Sequence, residues 1–121
     1  MNIEDFRDHC IQKPGVTESF PFDNDTLVFK VMDKMFALCN IENFESANLK
    51  CDPNLATKLR EEYDGHVLPG YHMNKKHWNT VKVNTGIPDN KIKHWINHSY
   101  ELVVSKLPKK QKEELKRRTV K

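Results

Sequence analysis

The chain has 121 residues, of which 37% are hydrophobic and 31% are charged, and its formal net charge is +3. This length suits one domain with its own core, and no stretch approaches the roughly 20 apolar residues that a membrane-spanning helix needs. We therefore expect a single cytoplasmic domain over 1–121, with neither a membrane segment nor a signal peptide.

The charges are unevenly distributed along the chain. Residues 1–65 contain seven Lys and Arg against thirteen Asp and Glu, whereas residues 66–121 contain thirteen against four. A basic second half favours a polyanionic partner. The alternative is that the acidic and basic halves attract each other within the fold.

The first half of the chain is predicted to form two helices with three strands between them. In chain order these are a helix over 2–12, strands over 26–32, 35–41 and 47–51, and a helix from Pro53 that ends at Gly65. Asp52 directly before Pro53 is typical of a helix N-terminus, because the carboxylate caps free amides and proline fits the first turn.

The first two strands are predicted to form a hairpin, with Asp33–Lys34 as a two-residue connection. Side chains alternate between the faces of a strand, so one face of this hairpin is expected to be apolar. The residues expected on that face are Leu27, Phe29, Val31, Met35, Ala37, Cys39 and Ile41.

The second half is predicted to form one strand and further helices. These are a strand over 77–84, a long helix from 88 to 107 and a basic C-terminal helix or tail over about 108–121, which we expect to pack loosely or project into solvent. Within the strand, Val81 and Val83 face the core, and Trp78 and Lys82 face the other side. The order of elements predicts an α+β fold, with helices on one face of a small antiparallel sheet.

No motif indicates an enzyme. The sequence lacks G-x-S-x-G, a P-loop and G-x-G-x-x-G, so we expect neither catalytic residues nor a cofactor. The odd number of cysteines, Cys10, Cys39 and Cys51, and the absence of C-x-x-C spacing indicate reduced, buried thiols.

A metal site is the weaker of two binding hypotheses. His66, His72 and His77 have no common zinc-site spacing, although a fold could bring them together. The acids of the first helix offer hard oxygen ligands, but acids in a first turn also suit the helix dipole. These acids are Glu4, Asp5 and Asp8.

The stretch PGYHMNKKHW, residues 69–78, favours nucleic acid instead. An exposed Trp78 beside Lys75, Lys76 and Lys82 would combine base stacking with phosphate neutralisation. The remaining candidate contacts are His72, His77, Lys109 and Lys110. The alternative is that Trp78 is buried in the sheet and that the lysines are ordinary solvated residues.

Three blocks closely resemble the MmcQ/YjbR family of small bacterial proteins. They are GVTESFPFDNDTLVFKVMDKMFAL, PGYHMNKKHWNTV and SYELVVSKLPKK, and the likeness runs from the first helix to about Lys110. The matching positions are Glu18, Phe20, Pro21, Phe22, Lys34, Phe36, Pro69, Gly70, Tyr71, His72, Met73, Lys76, His77, Trp78, Ser99 and Tyr100.

This resemblance implies a double-wing α+β fold similar to that of frataxin-like proteins, and a DNA-binding role. The hypothesis is therefore a monomeric, non-enzymatic DNA-binding module of low sequence specificity. The alternative is a metal-binding or protein-interaction module without a nucleic-acid role.

For four of these matching positions we also expect particular structural contacts. Tyr71 and Met73 would pack beneath the turn that begins at Pro69. Glu18 precedes FPF in a strand expected to be half-buried, so its carboxylate would need a partner such as Lys34 or a histidine of the second block. Tyr100 would hydrogen-bond the turn.

Overall fold

Six antiparallel strands form one open sheet in the computed structural model, which describes residues 1–119. The elements are α1 (Ile3–Ile11), β1 (Val16–Ser19), β2 (Thr26–Val31), β3 (Lys34–Asn40), β4 (Ser46–Lys50), α2 (Pro53–Glu62), β5 (Val67–Pro69), β6 (Trp78–Lys82), α3 (Asp89–Ser105) and α4 (Lys109–Thr119). The strand order is β1-β2-β3-β4-β6-β5. The predicted α+β class is confirmed, but the predicted order of elements lacked two short strands at the sheet edges, β1 and β5.

One face of the sheet carries the helices and the main core. Every helix contributes buried side chains to this core, including Phe6 of α1, Leu59 of α2, Ile96 of α3 and Leu115 of α4. The long α3 lies across the central strands β2, β3 and β4. Among residues 1–119, no helix lies on the opposite face of the sheet, which carries a small apolar cluster.

The hairpin of β2 and β3 differs from the prediction in its turn. The two connecting residues are Met32 and Asp33, with φ angles of 49° and 65°, instead of Asp33 and Lys34. Positive φ at both positions is the geometry of a type I′ turn, whose twist matches that of the flanking strands.

A bulge in β3 changes which residues face the core. Phe29 pairs with Ala37 while Lys30 pairs with Met35, so Phe36 is an extra residue on β3. Phe36 and Ala37 therefore both lie in the main core, and Met35 lies on the helix-free face. The prediction for Met35 was wrong for this reason. Ile41 was also misplaced, since it follows the end of β3 and is exposed.

The helix starts follow local sequence signals. Asp52 accepts hydrogen bonds from the amides of Asn54 and Leu55 at the start of α2, as expected.

In α3, Ser99 is fully buried and its hydroxyl oxygen lies 2.6 Å from the carbonyl oxygen of Lys50 in β4. A small hydroxyl side chain at this position lets α3 pack closely against the sheet.

The C-terminal helix α4 is anchored by Leu115, which is only 6% exposed and packs beside Gly15 and Val31. This contact differs from the loose or projecting tail that the sequence predicts. Val120, the other apolar residue of that tail, lies outside the described residues. None of the helices within residues 1–119 is both long and apolar enough to cross a membrane.

Candidate functional site

The segment 69–78 connects β5 to β6 and folds back on itself. The amide of Gly70 donates to the carbonyl oxygen of Trp78 at 2.9 Å, and the amide of Met73 donates to that of Gly70 at 3.2 Å. His72 adopts a φ of 58°, which is uncommon for a residue other than glycine. The turn expected at Pro69–Gly70 is therefore present. Tyr71, however, projects into solvent instead of packing beneath it.

Trp78 lies on the helix-free face of the sheet, as its alternation predicts, but the expectation that it is exposed was wrong. It is 4% exposed and packs with Val28 and Leu38, and Met35 and Met73 cover this cluster. The β3 bulge and the folded-back turn bring the two methionines there. An indole enclosed in this way has no free face on which a base could stack.

Arg60 of α2 holds the turn in place. Its Nε donates to the Oδ1 of Asn79 at 2.7 Å, and its Nη2 donates to the carbonyl oxygens of Trp78, at 3.2 Å, and of Lys75. These bonds fix the backbone next to Lys75 and Lys76, whose side chains are exposed. No sequence signal indicates this role, because Arg60 resembles the other charged, solvated residues of α2.

A groove with three lysines opens at the same end of the sheet, and we call it the basic groove. It has a volume of about 270 Å³ and is lined by Lys34, Met35, Lys50, Trp78, Leu102, Val103, Lys106 and Leu107. No carboxylate lines it, and within residues 1–119 none of its lysines forms an ion pair. Burial and the charge of Lys106 lower the pKa of Lys50. The Nζ of Lys50 lies 5.3 Å from the centre of the Trp78 ring.

None of the lysines predicted to contact nucleic acid lines this groove. Lys109 and Lys110 begin α4, two and three residues after Leu107. Lys82 lies at the far end of β6, where it lines a different cavity together with Glu45.

The candidate metal ligands are not brought together. Within the described part of the chain, no group of three or more His, Cys, Asp or Glu could hold a metal ion. His66 hydrogen-bonds Thr85 through Nδ1 at 2.9 Å, and the ring of His72 lies 4.0 Å from that of Tyr71. Glu4, Asp5 and Asp8 are all exposed on α1.

Glu18 has a partner, but it is neither Lys34 nor a histidine. Arg7 of α1 donates to both carboxylate oxygens, at 2.7 Å from Nε and by a second bond from Nη2. The hydrogen bond from Arg7 lowers the pKa of Glu18. Glu18 therefore joins α1 to β1 and is not part of a site with the 69–78 turn.

A matching position in α3 also has a structural contact. Tyr100 donates to the carbonyl oxygen of Pro14 at 2.6 Å, in the turn after α1 and not in the Pro69–Gly70 turn.

All three cysteines are free and buried. Burial raises the pKa of Cys39 to about 12 and that of Cys51 to about 11, so these thiols remain protonated and weakly nucleophilic near neutral pH.

His98 makes folding stability depend on pH. Its Nε2 accepts the amide hydrogen of Asp52 at 3.3 Å, so this contact needs the neutral ring. Burial lowers the pKa of His98 below 6.5; nearby His94 acts in the same direction, whereas Asp52 and Glu101 oppose it.

As the pH falls, His98 is therefore protonated in the unfolded chain at a higher pH than in the folded protein. Folding stability decreases below about pH 6.5, and the decrease stops once His98 is protonated in the folded protein as well. We expect the melting temperature to fall between pH 7 and 5, and His98→Gln to flatten that fall. Thermal unfolding across this range measures the effect. The Glu18 and Asp23 carboxylates lose their contributions at lower pH, because their pKa values are lowered from already acidic ones.

Comparisons with known proteins agree with this fold. The YjbR family model matches residues 11–102. The protein YjbR of Escherichia coli strain K12 is 34% identical over 113 residues, covering 93% of this chain and 95% of the relative. YyaQ of Bacillus subtilis strain 168 is 26% identical over 117 residues, covering 84% of this chain and 98% of the relative.

Two solved structures are also similar. A crystal structure of a Deinococcus radiodurans protein with a DUF419 domain has a TM-score of 0.88 and 38% identity, and the match covers 94% of this chain and 87% of that one. A crystal structure of a Pseudomonas syringae protein has a TM-score of 0.69 and 30% identity, with coverages of 84% and 98%. On the family match and these relatives together, the chain belongs to the YjbR family.

Proposed function

We propose that this chain is a monomeric, non-enzymatic cytoplasmic module that binds DNA through its phosphate backbone, with the basic groove at the centre of the contact. The observation that carries the proposal is the convergence of Lys34, Lys50 and Lys106 on one groove without a lining carboxylate. Like charges held together raise the free energy of the unbound protein, and an anion in the groove would offset that cost.

Neighbouring lysines would extend the contact along the phosphates of a DNA strand. Lys75 and Lys76 precede the groove residue Trp78, and Lys109 and Lys110 follow Leu107. Trp78 serves as the floor of the groove and does not stack on bases. His72 and His77 lie in the same turn as Lys75 and Lys76.

This arrangement favours affinity over sequence recognition. Lysine contacts to phosphate carry no direct sequence information, and none of the helices in the described part of the chain presents a row of Arg and Asn side chains for the major groove. If about five phosphates are engaged, the logarithm of affinity should fall against the logarithm of salt concentration with a slope of about −4 to −5.

Lys50→Met separates binding from folding. We expect it to weaken duplex binding severalfold, because it removes a central phosphate contact, and to leave the melting temperature unchanged or higher, since it removes a half-buried unpaired charge. Fluorescence anisotropy of a labelled duplex at about 50 and 200 mM salt measures binding, and thermal unfolding measures stability.

Lys58→Met is the matched control, because it removes one exposed lysine from α2, away from the groove. Lys76→Glu tests the flanking contact and should weaken binding to all sequences alike. Equal affinities for Lys50→Met and Lys58→Met would contradict the proposal, as would binding that does not respond to salt.

A further inference from the structure

A second groove lies on the helix-free face of the sheet, and we call it the aromatic groove. It has a volume of about 530 Å³, and its lining includes Phe22, Asn48, Tyr71, His72 and Thr80. It shares no residue with the basic groove. Its chemistry also differs, since aromatic rings and uncharged polar groups line most of it.

The two aromatic walls are held out in solvent. Phe22 is 64% exposed and Tyr71 is 69% exposed. The amide of Tyr71 donates to the Oγ1 of Thr80 at 2.9 Å, and His72, with its φ of 58°, places its ring beside that of Tyr71. Exposed rings and a strained residue in one cavity are costly for folding alone and are typical of a binding site.

The floor offers a fixed pattern of hydrogen-bonding groups. The hydroxyl of Thr80 donates to the Oδ1 of Asn48, which orients the Asn48 amide. Among the described residues, the side-chain N–H groups of Asn48 have no hydrogen-bond acceptor. The groove therefore provides a neutral donor between aromatic walls.

The charge at the rim disfavours an anion inside this groove. Asp23 lines it, and its carboxylate accepts hydrogen bonds from the amides of Asp25, at 2.9 Å, and Thr26, at 2.7 Å, which lower its pKa. Asp23 therefore stays ionised near neutral pH. The matching occupant is a neutral planar ring that carries hydrogen-bond acceptors at its edge.

We propose that the aromatic groove binds a nucleobase, which stacks against Phe22 or Tyr71 and accepts a hydrogen bond from Asn48. A free nucleoside and an unpaired base of a strand present the same ring, so either source fits. The inference does not depend on phosphate binding at the basic groove.

Uncharged nucleosides are the suitable probes, because they lack the phosphate that the basic groove would attract. In an NMR titration of the full chain with adenosine, guanosine, cytidine and thymidine, we expect saturable shifts at the Asn48 side-chain amide and the Tyr71 ring. The dissociation constant for at least one base should be about millimolar or lower. Phenol is the comparison probe for an aromatic ring that lacks the hydrogen-bond acceptors of a base. Ribose is the comparison probe for the sugar alone.

The variants Phe22→Ala and Phe20→Ala form a matched pair. Both side chains belong to one loop and are exposed, but only Phe22 lines the groove. We expect Phe22→Ala or Tyr71→Ala to weaken nucleoside binding about tenfold, as loss of one stacking contact does, and Phe20→Ala to leave it unchanged. Comparable effects of Phe20→Ala and Phe22→Ala would overturn the proposal.

Two further outcomes would overturn it: no shifts at about 10 mM of any nucleoside, or phenol binding as tightly as the nucleosides. If a single-stranded oligonucleotide shifts the same signals, the base comes from a strand; shifts with nucleosides alone identify a free ligand. Nucleoside binding that persists in Lys50→Met would show that this site is independent of the proposed DNA contact.

Discussion

Gly70→Ala should destabilise the protein by about 3 kcal/mol, at the upper end of the usual cost of overpacking. A Cβ at Gly70 would lie 2.7 Å from the Cβ of Trp78 and 3.0 Å from its backbone carbonyl oxygen. Neither atom can swing away as the end of a long side chain could. Strands β5 and β6 would have to separate, weakening the bond from the Gly70 amide to the Trp78 carbonyl oxygen.

Chemical denaturation measures this loss, and the melting temperature should fall by about 10 °C. Gly65→Ala is the control: a Cβ there meets nothing within 4 Å, but the φ of 81° is unfavourable for alanine. It should cost about 1 kcal/mol through backbone strain and leave Trp78 fluorescence unchanged. A cost below about 0.5 kcal/mol for Gly70→Ala would show that the strands are not closely packed there.

The sequence predicts the main elements of this fold because their signals are local. Asp52 and Pro53 mark the start of α2 through capping chemistry within a few residues. Strands β1 and β5 are different, since they have only four and three residues and lie next to their partners at the sheet edges. Such short segments carry too little alternation to indicate a strand, and pairing with longer neighbours determines them.

The candidate site was less predictable, because it depends on contacts between distant parts of the chain. The charge of the second half was visible, but Lys50 comes from the acidic half and reaches Lys106 only through the packing of α3 on the sheet. The burial of Trp78 results from the Phe36 bulge and from Met73 folding back. Neither the bulge nor the folded-back turn can be predicted from the residues adjacent to Trp78 in the sequence.

Arg60→Ala should be comparably destabilising, by about 2–4 kcal/mol. Asn79 is 2% exposed and faces α2 on the helix-bearing side of the sheet, where its Oδ1 accepts from Arg60. Removing the guanidinium leaves the buried Oδ1 of Asn79 without its donor, which costs about 1–3 kcal/mol. The Trp78 carbonyl oxygen keeps its bond from the Gly70 amide, and the lost bonds from Arg60 to the Trp78 and Lys75 carbonyl oxygens add about 1 kcal/mol. Lysine is a poor substitute, since a single ammonium group lacks the planar fork that reaches three acceptors.

A double-mutant cycle of Arg60→Ala with Asn79→Ala measures the contact directly, and a coupling energy of about 1–3 kcal/mol is expected. Hydrogen exchange should become faster in the 69–78 turn, because Arg60 also donates to the carbonyl oxygen of Lys75. This connects stability to the proposed DNA contact: a loosened turn holds Lys75 and Lys76 less firmly, so the affinity should fall while both lysines remain. A coupling energy near zero in the cycle, together with unchanged hydrogen-exchange rates in the 69–78 turn, would contradict this role. Arg60 would then be an ordinary solvated residue of α2.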